Sequence, residues 1–128
     1  MRLNHFGLFV QDLERERHFF ETYFNASAEP LYHNPRTGLK CYFLDFPDGD
    51  ARLELMTRPD LVLREKDALD IGFIHLSFSL GGRSAVDDAA ARMKTDGYSV
   101  VDGPRVCGDG SYEACVLDPE GNRIEMTV

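Results

Sequence analysis

The sequence predicts an α+β fold in which one strand–helix–three-strand module (βαβββ) occurs twice. Two repeated motifs predict it. A strand-like run with a histidine occurs as Asn4-His5-Phe6-Gly7-Leu8 and again as Ile74-His75-Leu76-Ser77-Phe78. A turn of the form Pro-acidic-Gly, followed by Arg-aliphatic-Glu-aliphatic, occupies residues 47–55 and returns at 119–126. Because both motifs recur in the same order, we expect two copies of one supersecondary unit.

The spacing of the motifs agrees with this duplication. His5 lies 49 positions before Glu54, and His75 lies 50 positions before Glu125. We therefore expect one domain over 1–128, with a first module at about 1–58, a linker over 59–70 and a second module at about 71–128.

In the first module, alternating apolar residues predict a strand over 3–10. Aromatic residues at helical spacing predict a helix over 12–24. Apolar runs separated by Pro, Asn, Gly and Asp predict three further strands, over 28–33, 40–46 and 52–57.

The second module repeats this order. A strand is predicted over 72–80, and Ser84 with Asp87 has the pattern of a capping box that begins a helix. Gly97 is well placed to end that helix. Three strands are then predicted, over 98–106, 111–118 and 122–128.

Composition limits the classes of partner. The net charge is −8 and the pI is about 4.9, without a basic cluster, so nucleic acid and anionic membranes are excluded as expected partners. No apolar run approaches the ~20 residues that a membrane span needs. Three cysteines without a C-x-x-C spacing predict buried, unpaired thiols. With no secretory signal visible, we expect a cytoplasmic protein that binds a small molecule.

Strand alternation assigns the repeated histidines and glutamates to one kind of surface. The aliphatic neighbours of each should face the module's helix, so His5, Glu54, His75 and Glu125 should all lie on the opposite face. A single strand histidine or glutamate is usually structural, but a His–Glu pair repeated at one offset favours a shared role. Two imidazoles and two carboxylates suit one divalent ion: Zn, Ni, Co, Fe or Mn.

A doubled module with these residues resembles the vicinal oxygen chelate superfamily over essentially the whole chain. Within it, the order His, Glu, His, Glu is similar to glyoxalase I (lactoylglutathione lyase). The strand Arg52-Leu53-Glu54-Leu55 and the closing segment 118–125 are similar to that family's signatures. The resemblance implies curved mixed sheets around a metal cleft, and a homodimer whose sites are built from one chain or from two.

The resemblance also implies an activity. We expect a metal-dependent lyase or isomerase that acts on a small substrate with vicinal oxygens, such as the methylglyoxal–glutathione hemithioacetal, through an enediolate. Glu125 is expected to be the base, and Glu54 its partner. Glyoxalase I has an arginine that grips glutathione where Phe9 stands here, and an asparagine where Arg58 stands. Phe9 and Arg58 are therefore expected to contact the substrate.

Two alternatives stay open. One is another enzyme of the same superfamily, such as an epimerase or a dioxygenase. The other is a non-enzymatic protein that sequesters a small molecule or drug on the same fold. The four candidate ligands favour an enzyme, because sequestering proteins of the bleomycin-resistance type lack them.

Overall fold

The computed structural model of the protein describes residues 1–63, 65 and 71–128. The chain divides into two compact units, Met1–Arg64 and Glu65–Val128. Within the described ranges each unit holds one α-helix and one mixed β-sheet, which confirms the α+β prediction. Of the predicted linker over 59–70, residue 64 and residues 66–70 lie outside the described residues. No helix in the described ranges is long and apolar enough to cross a membrane.

The first unit contains six of the described elements. They are β1 (His5–Phe9), α1 (Leu13–Phe24), β2 (Ser27–Ala28), β3 (Tyr32–His33), β4 (Lys40–Asp45) and β5 (Arg52–Thr57). In the sheet order β1-β5-β4-β2, strand β1 runs parallel to β5 and the other pairings are antiparallel. The prediction of one continuous strand over 28–33 is wrong, since β2 and β3 pair separately with β4. Pro30 lies between them, and it has no N–H to donate to a ladder.

The second unit has the same sheet order. Its elements are β6 (Leu76–Ser79), α2 (Arg83–Thr95), β7 (Val100–Val106), β8 (Tyr112–Leu117) and β9 (Arg123–Thr127). In the order β6-β9-β8-β7, strand β6 runs parallel to β9, and the remaining pairs are antiparallel. Strand β7 holds the position that β2 and β3 share in the first unit. It is also irregular, with register shifts on both sides of Asp102.

Helix α1 begins where a side chain replaces the missing backbone acceptor. The carboxylate of Asp12 accepts a hydrogen bond of 3.0 Å from the N–H of Arg15. The helix ends at Asn25, which takes the left-handed conformation with φ 52°. Phe19 and Phe20 are fully buried and, with Leu13 and Phe24, form the helix side of the core.

Helix α2 begins differently from the prediction. The predicted capping box of Ser84 and Asp87 is wrong: the N-cap is Gly82, and no side chain caps it. Ser84 is the second residue of the helix, so its hydroxyl lies inside the first turn instead of before it. The predicted end is confirmed, since Gly97 has φ +94° and the N–H of Tyr98 reaches the carbonyl of Met93 at 2.9 Å.

Each sheet has one face covered by its helix and one open face. In β5, Leu53 and Leu55 are buried beneath α1 whereas Glu54 between them is half-buried. In β9, Ile124 and Met126 are buried beneath α2 and Glu125 is half-buried. Burial therefore confirms the predicted alternation. The alternation of buried and exposed residues is weaker in the edge strand β1, where Phe6 on the helix side keeps 39% of its surface exposed.

Candidate metal centre

In the first unit, the parallel ladder brings the predicted histidine and glutamate together. Gly7 of β1 lies opposite Glu54 of β5, so His5, two positions earlier, shares the open face with that glutamate. The Nε2 atom of His5 lies 3.6 Å from the Oε2 atom of Glu54. Both side chains keep part of their surface accessible to a ligand.

The second unit repeats this geometry. Ser77 of β6 lies opposite Glu125 of β9, and His75 is again two positions earlier. The Nε2 atom of His75 lies 3.6 Å from the Oε2 atom of Glu125. The predicted start of this strand at 72 is wrong, because β6 begins at Leu76 and His75 precedes it directly. Since β9 begins only at Arg123, residues before His75 have no strand opposite them.

The spacing within each pair is compatible with two ligands of one ion. A nitrogen and an oxygen that each lie about 2.0–2.2 Å from a metal are separated by less than about 4.3 Å, and a wide bond angle gives values near the one observed. Histidine nitrogen with carboxylate oxygen also suits first-row divalent metals. Within residues 1–63, 65 and 71–128, no group of three or more His, Cys, Asp or Glu side chains is arranged to hold a metal ion. The structure thus brings the four predicted residues together as two pairs, one in each unit.

Asn4 fixes the orientation of His5. The Nδ1 atom of His5 lies 2.6 Å from Oδ1 of Asn4. With the proton on Nδ1 donated to this amide oxygen, Nε2 carries the lone pair and is directed toward Glu54. The edge of the His5 ring also contacts Phe43, with 5.5 Å between ring centroids. The neighbouring Cys41 is buried; burial, and next its hydrogen bond to Glu54, raise the pKa of this thiol.

Ser77 fixes the orientation of Glu125. Its hydroxyl donates a hydrogen bond of 2.6 Å to Oε1 of Glu125, which leaves Oε2 directed toward His75. Cys115 lies opposite Glu125 in the ladder, and burial raises the pKa of its thiol. Cys41, Cys107 and Cys115 are all free, as predicted, although Cys107 is only half-buried.

Sequence reasoning did not assign a role to Asn4 or Ser77. A signal was present in both cases. Asn4 is the immediate neighbour of His5, and Ser77 lies two positions after His75, hence on the same strand face. Amide and hydroxyl groups beside a candidate ligand are the kind of side chain that orients it.

The two predicted substrate contacts differ in their surroundings. Phe9 ends β1 on the open face, opposite Met56 in the ladder, and 50% of its surface is exposed. Arg58 follows β5, and its Nη2 donates a 2.7 Å hydrogen bond to Oδ2 of Asp60, with a second bond from Nε to Oδ1. The charge of Arg58 is thus balanced locally. Contact of either residue with a substrate stays a prediction.

The chain belongs to the Glyoxalase/Bleomycin resistance protein/Dioxygenase superfamily, whose family model matches residues 2–126. This confirms the resemblance found in the sequence.

Individual proteins are similar to this chain over most of its length. An uncharacterized protein of Pseudomonas aeruginosa is 28% identical over 98% of this chain and 86% of its own length. Two solved structures share the fold. The trypanothione-dependent glyoxalase I of Leishmania major has a TM-score of 0.79 and 20% identity, over 99% of this chain and 86% of that one. The fosfomycin resistance protein FosX of Listeria monocytogenes, in complex with Mn(II) and sulfate, has a TM-score of 0.73 and 19% identity, over 99% of this chain and 91% of that one.

Proposed function

We propose that this protein is a metal-dependent lyase of the glyoxalase I type, which isomerises a small substrate with vicinal oxygens, such as the hemithioacetal of methylglyoxal and glutathione. One observation carries the proposal. Each unit holds a His–Glu pair at the same register and with the same 3.6 Å separation between Nε2 and Oε2. The recurrence of both residue types and of the atomic geometry in the two copies favours a shared role over a purely structural one.

His5, Glu54, His75 and Glu125 would together hold one divalent ion, with Zn, Ni and Co as the first candidates and Fe and Mn as further ones. The ion would act as a Lewis acid that stabilises negative charge on the substrate's vicinal oxygens.

Proton transfer is the task of the chain's own carboxylates. Glu125 is the proposed base, which removes the proton from the carbon next to the carbonyl and returns it to the neighbouring carbon. Because Ser77 donates to Oε1 of Glu125, Oε2 would be the ligand while Glu125 holds the ion and the proton acceptor once Glu125 is released from it. Glu54 is the proposed partner on the opposite side of the substrate. Phe9 offers an exposed apolar surface for the rest of the substrate.

The first experiment is elemental analysis of the purified protein, followed by removal of metal and an assay with methylglyoxal and glutathione after Ni, Co or Zn is added back. One ion per chain with metal-dependent formation of lactoylglutathione supports the proposal. Metal binding without turnover of this substrate would favour a different enzymatic activity within the superfamily. Absence of binding for every metal would overturn the proposal and favour a sequestering protein.

Loss of a single candidate imidazole should remove the metal. We expect His75→Ala to weaken metal binding by more than the roughly 10–100-fold that loss of a ligand's hydrogen-bond partner causes, because a ligand itself is removed. Activity should fall in parallel. His18→Ala is the matched control, since His18 is exposed on α1 and its Nε2 lies 3.5 Å from the hydroxyl of Thr22. Competition with a chromophoric chelator measures both affinities, and stoichiometric metal in His75→Ala would refute the ligand assignment.

The two glutamates should differ in their contribution to turnover. Glu125→Gln should lower kcat by about 10²–10⁴-fold while metal stays bound, because the amide ligates through oxygen but cannot accept the proton. Glu54→Gln should lower kcat by a clearly smaller factor. Steady-state kinetics at equal metal content measures the difference. Equal losses in the two variants would contradict the assignment of the base to Glu125.

Asn4 should matter for metal affinity although it is not a proposed ligand. Asn4→Leu removes the acceptor of the His5 Nδ1 proton, and we expect a 10–100-fold weaker affinity, the usual effect of losing such a partner. Asn4→Asp keeps an acceptor oxygen and should remain near the wild type. Chelator competition on both variants tests this. If Asn4→Leu binds metal as tightly as Asn4→Asp does, Asn4 does not orient His5.

We propose that the protein forms a homodimer, in which the two His–Glu pairs of a four-ligand site come from one chain or from two. The source of the pairs is testable by mixing His5→Ala with His75→Ala, each inactive alone. If a site takes its units from two chains, half of the sites in each mixed dimer are intact. About a quarter of the wild-type activity should then return after subunit exchange. If each site forms within one chain, the mixture stays inactive, and a monomeric mass in solution would refute the dimer.

A further inference from the structure

The open face of the second sheet carries a cation beside the proposed ligand Glu125. Arg123 and Glu125 alternate along β9 with the buried residues Ile124 and Met126, so both lie on the open face. Two positions along one strand correspond to about 6.6 Å between Cα atoms. Arg123 is half-buried and therefore partly removed from water.

Four of the described arginines are half-buried, and three of these have a carboxylate partner. Arg17 binds Glu14 and Glu21 at 2.8 Å, Arg52 binds Glu29 at 3.1 Å, and Arg58 binds Asp60. Arg123 differs from them. In the part of the chain that the structure describes, no carboxylate oxygen lies within ion-pair distance of its guanidinium.

The surroundings of Arg123 do not compensate its charge by direct contact. The hydrogen-bond acceptor of its Nη1 is the sulfur of Cys115, at 4.0 Å, which is a weak partner. The nearby carboxylate of Asp102 is bound by Arg105, whose Nε donates to Oδ1 at 2.8 Å. The hydrogen bond from Arg105 is the main cause that lowers the pKa of Asp102, and the charge of Arg123 contributes least.

The equivalent arginine of the first unit, Arg52, does have a carboxylate partner. Arg52 precedes Glu54 by two positions, as Arg123 precedes Glu125. Its guanidinium is neutralised by Glu29 and lies 4.3 Å over the ring of Phe43. The two copies of the module have thus kept the arginine, but only the first copy has supplied an internal anion for it.

A guanidinium without a carboxylate partner keeps its planar set of donors available, and these fit a carboxylate or a phosphoryl group through two parallel hydrogen bonds. We infer that Arg123 binds an anionic substituent of the substrate, a carboxylate or phosphoryl oxyanion next to the vicinal oxygens. Arg123 thereby selects anionic over neutral substrates. The inference rests on the proposed function, in that it places the substrate's vicinal oxygens beside Glu125.

Three small probes separate charge from shape. Dihydroxyacetone has adjacent carbonyl and hydroxyl oxygens and no charge. Hydroxypyruvate replaces one of its hydroxymethyl groups by a carboxylate, and dihydroxyacetone phosphate adds a phosphate. Calorimetric titration of each probe into the metal-loaded and the metal-depleted protein measures anion recognition without any turnover. We expect the wild type to bind at least one anionic probe more than tenfold more tightly than dihydroxyacetone. The preferred anion identifies the oxyanion class.

Arg123→Met should abolish this preference, and Arg123→Lys should retain part of it because the charge remains. Arg52→Met is the matched control, and it should leave the preference within about twofold, since the charge of Arg52 is already neutralised. Equal thermal unfolding midpoints would show that the variants are folded. The inference is overturned if the wild type does not discriminate, or if Arg123→Met discriminates as well as the wild type does.

Metal content measured on the same samples separates this inference from the proposed function. Anion preference that depends on Arg123 in a protein that binds no metal supports the inference while the metal-dependent lyase fails. Stoichiometric metal with an unchanged preference in Arg123→Met refutes the role of Arg123 alone.

Discussion

The parallel pairing of the first and last strand in each unit is the constraint on which the candidate site depends. This ladder sets which residue of β1 lies opposite Glu54, and which residue of β6 lies opposite Glu125. A shift of one residue would turn His5 to the helix side, because side chains alternate with a period of two. Burial on the helix side of each sheet stabilises this register. The buried residues are Leu53 and Leu55 in one unit and Ile124 and Met126 in the other. The same strands therefore set both the packing of the core and the position of the candidate ligands.

The duplicated sheets have diverged on their open faces. In the first unit this face is largely apolar, with Phe9, Phe43 and Met56 around the His–Glu pair. In the second unit Ser79 and Thr127 stand where the first has Phe9 and Met56, whereas both units carry an arginine on this face, Arg52 and Arg123. The buried core tolerates little change because its side chains are close-packed. The open face is free to specialise.

Much of this organisation is readable in the sequence because it follows from short periodicities. The repeat of His5 and Glu54 as His75 and Glu125 predicted two modules, and alternation predicted which face each residue occupies. The errors arose where an element depends on its neighbours. Pro30 divides a strand that composition predicts as continuous, and β6 cannot begin before its partner β9 does. Ser84 forms a capping pattern, but the helix begins two residues too early for Ser84 to cap it. The sequence also could not predict that Arg123 lacks a carboxylate partner, because Arg52 occupies the same position in its motif and pairs with Glu29.

The claim that both His–Glu pairs bind one ion is tested most directly by X-ray absorption spectroscopy of the protein reconstituted with nickel or zinc. Multiple scattering from imidazole counts the histidines on the ion, and elemental analysis of the same sample counts the ions. The account predicts one ion per chain with two imidazoles and oxygen ligands at about 2.0–2.2 Å. Two ions per chain with a single imidazole each, or an ion without imidazole, would contradict it and leave two separate pairs in place of one centre.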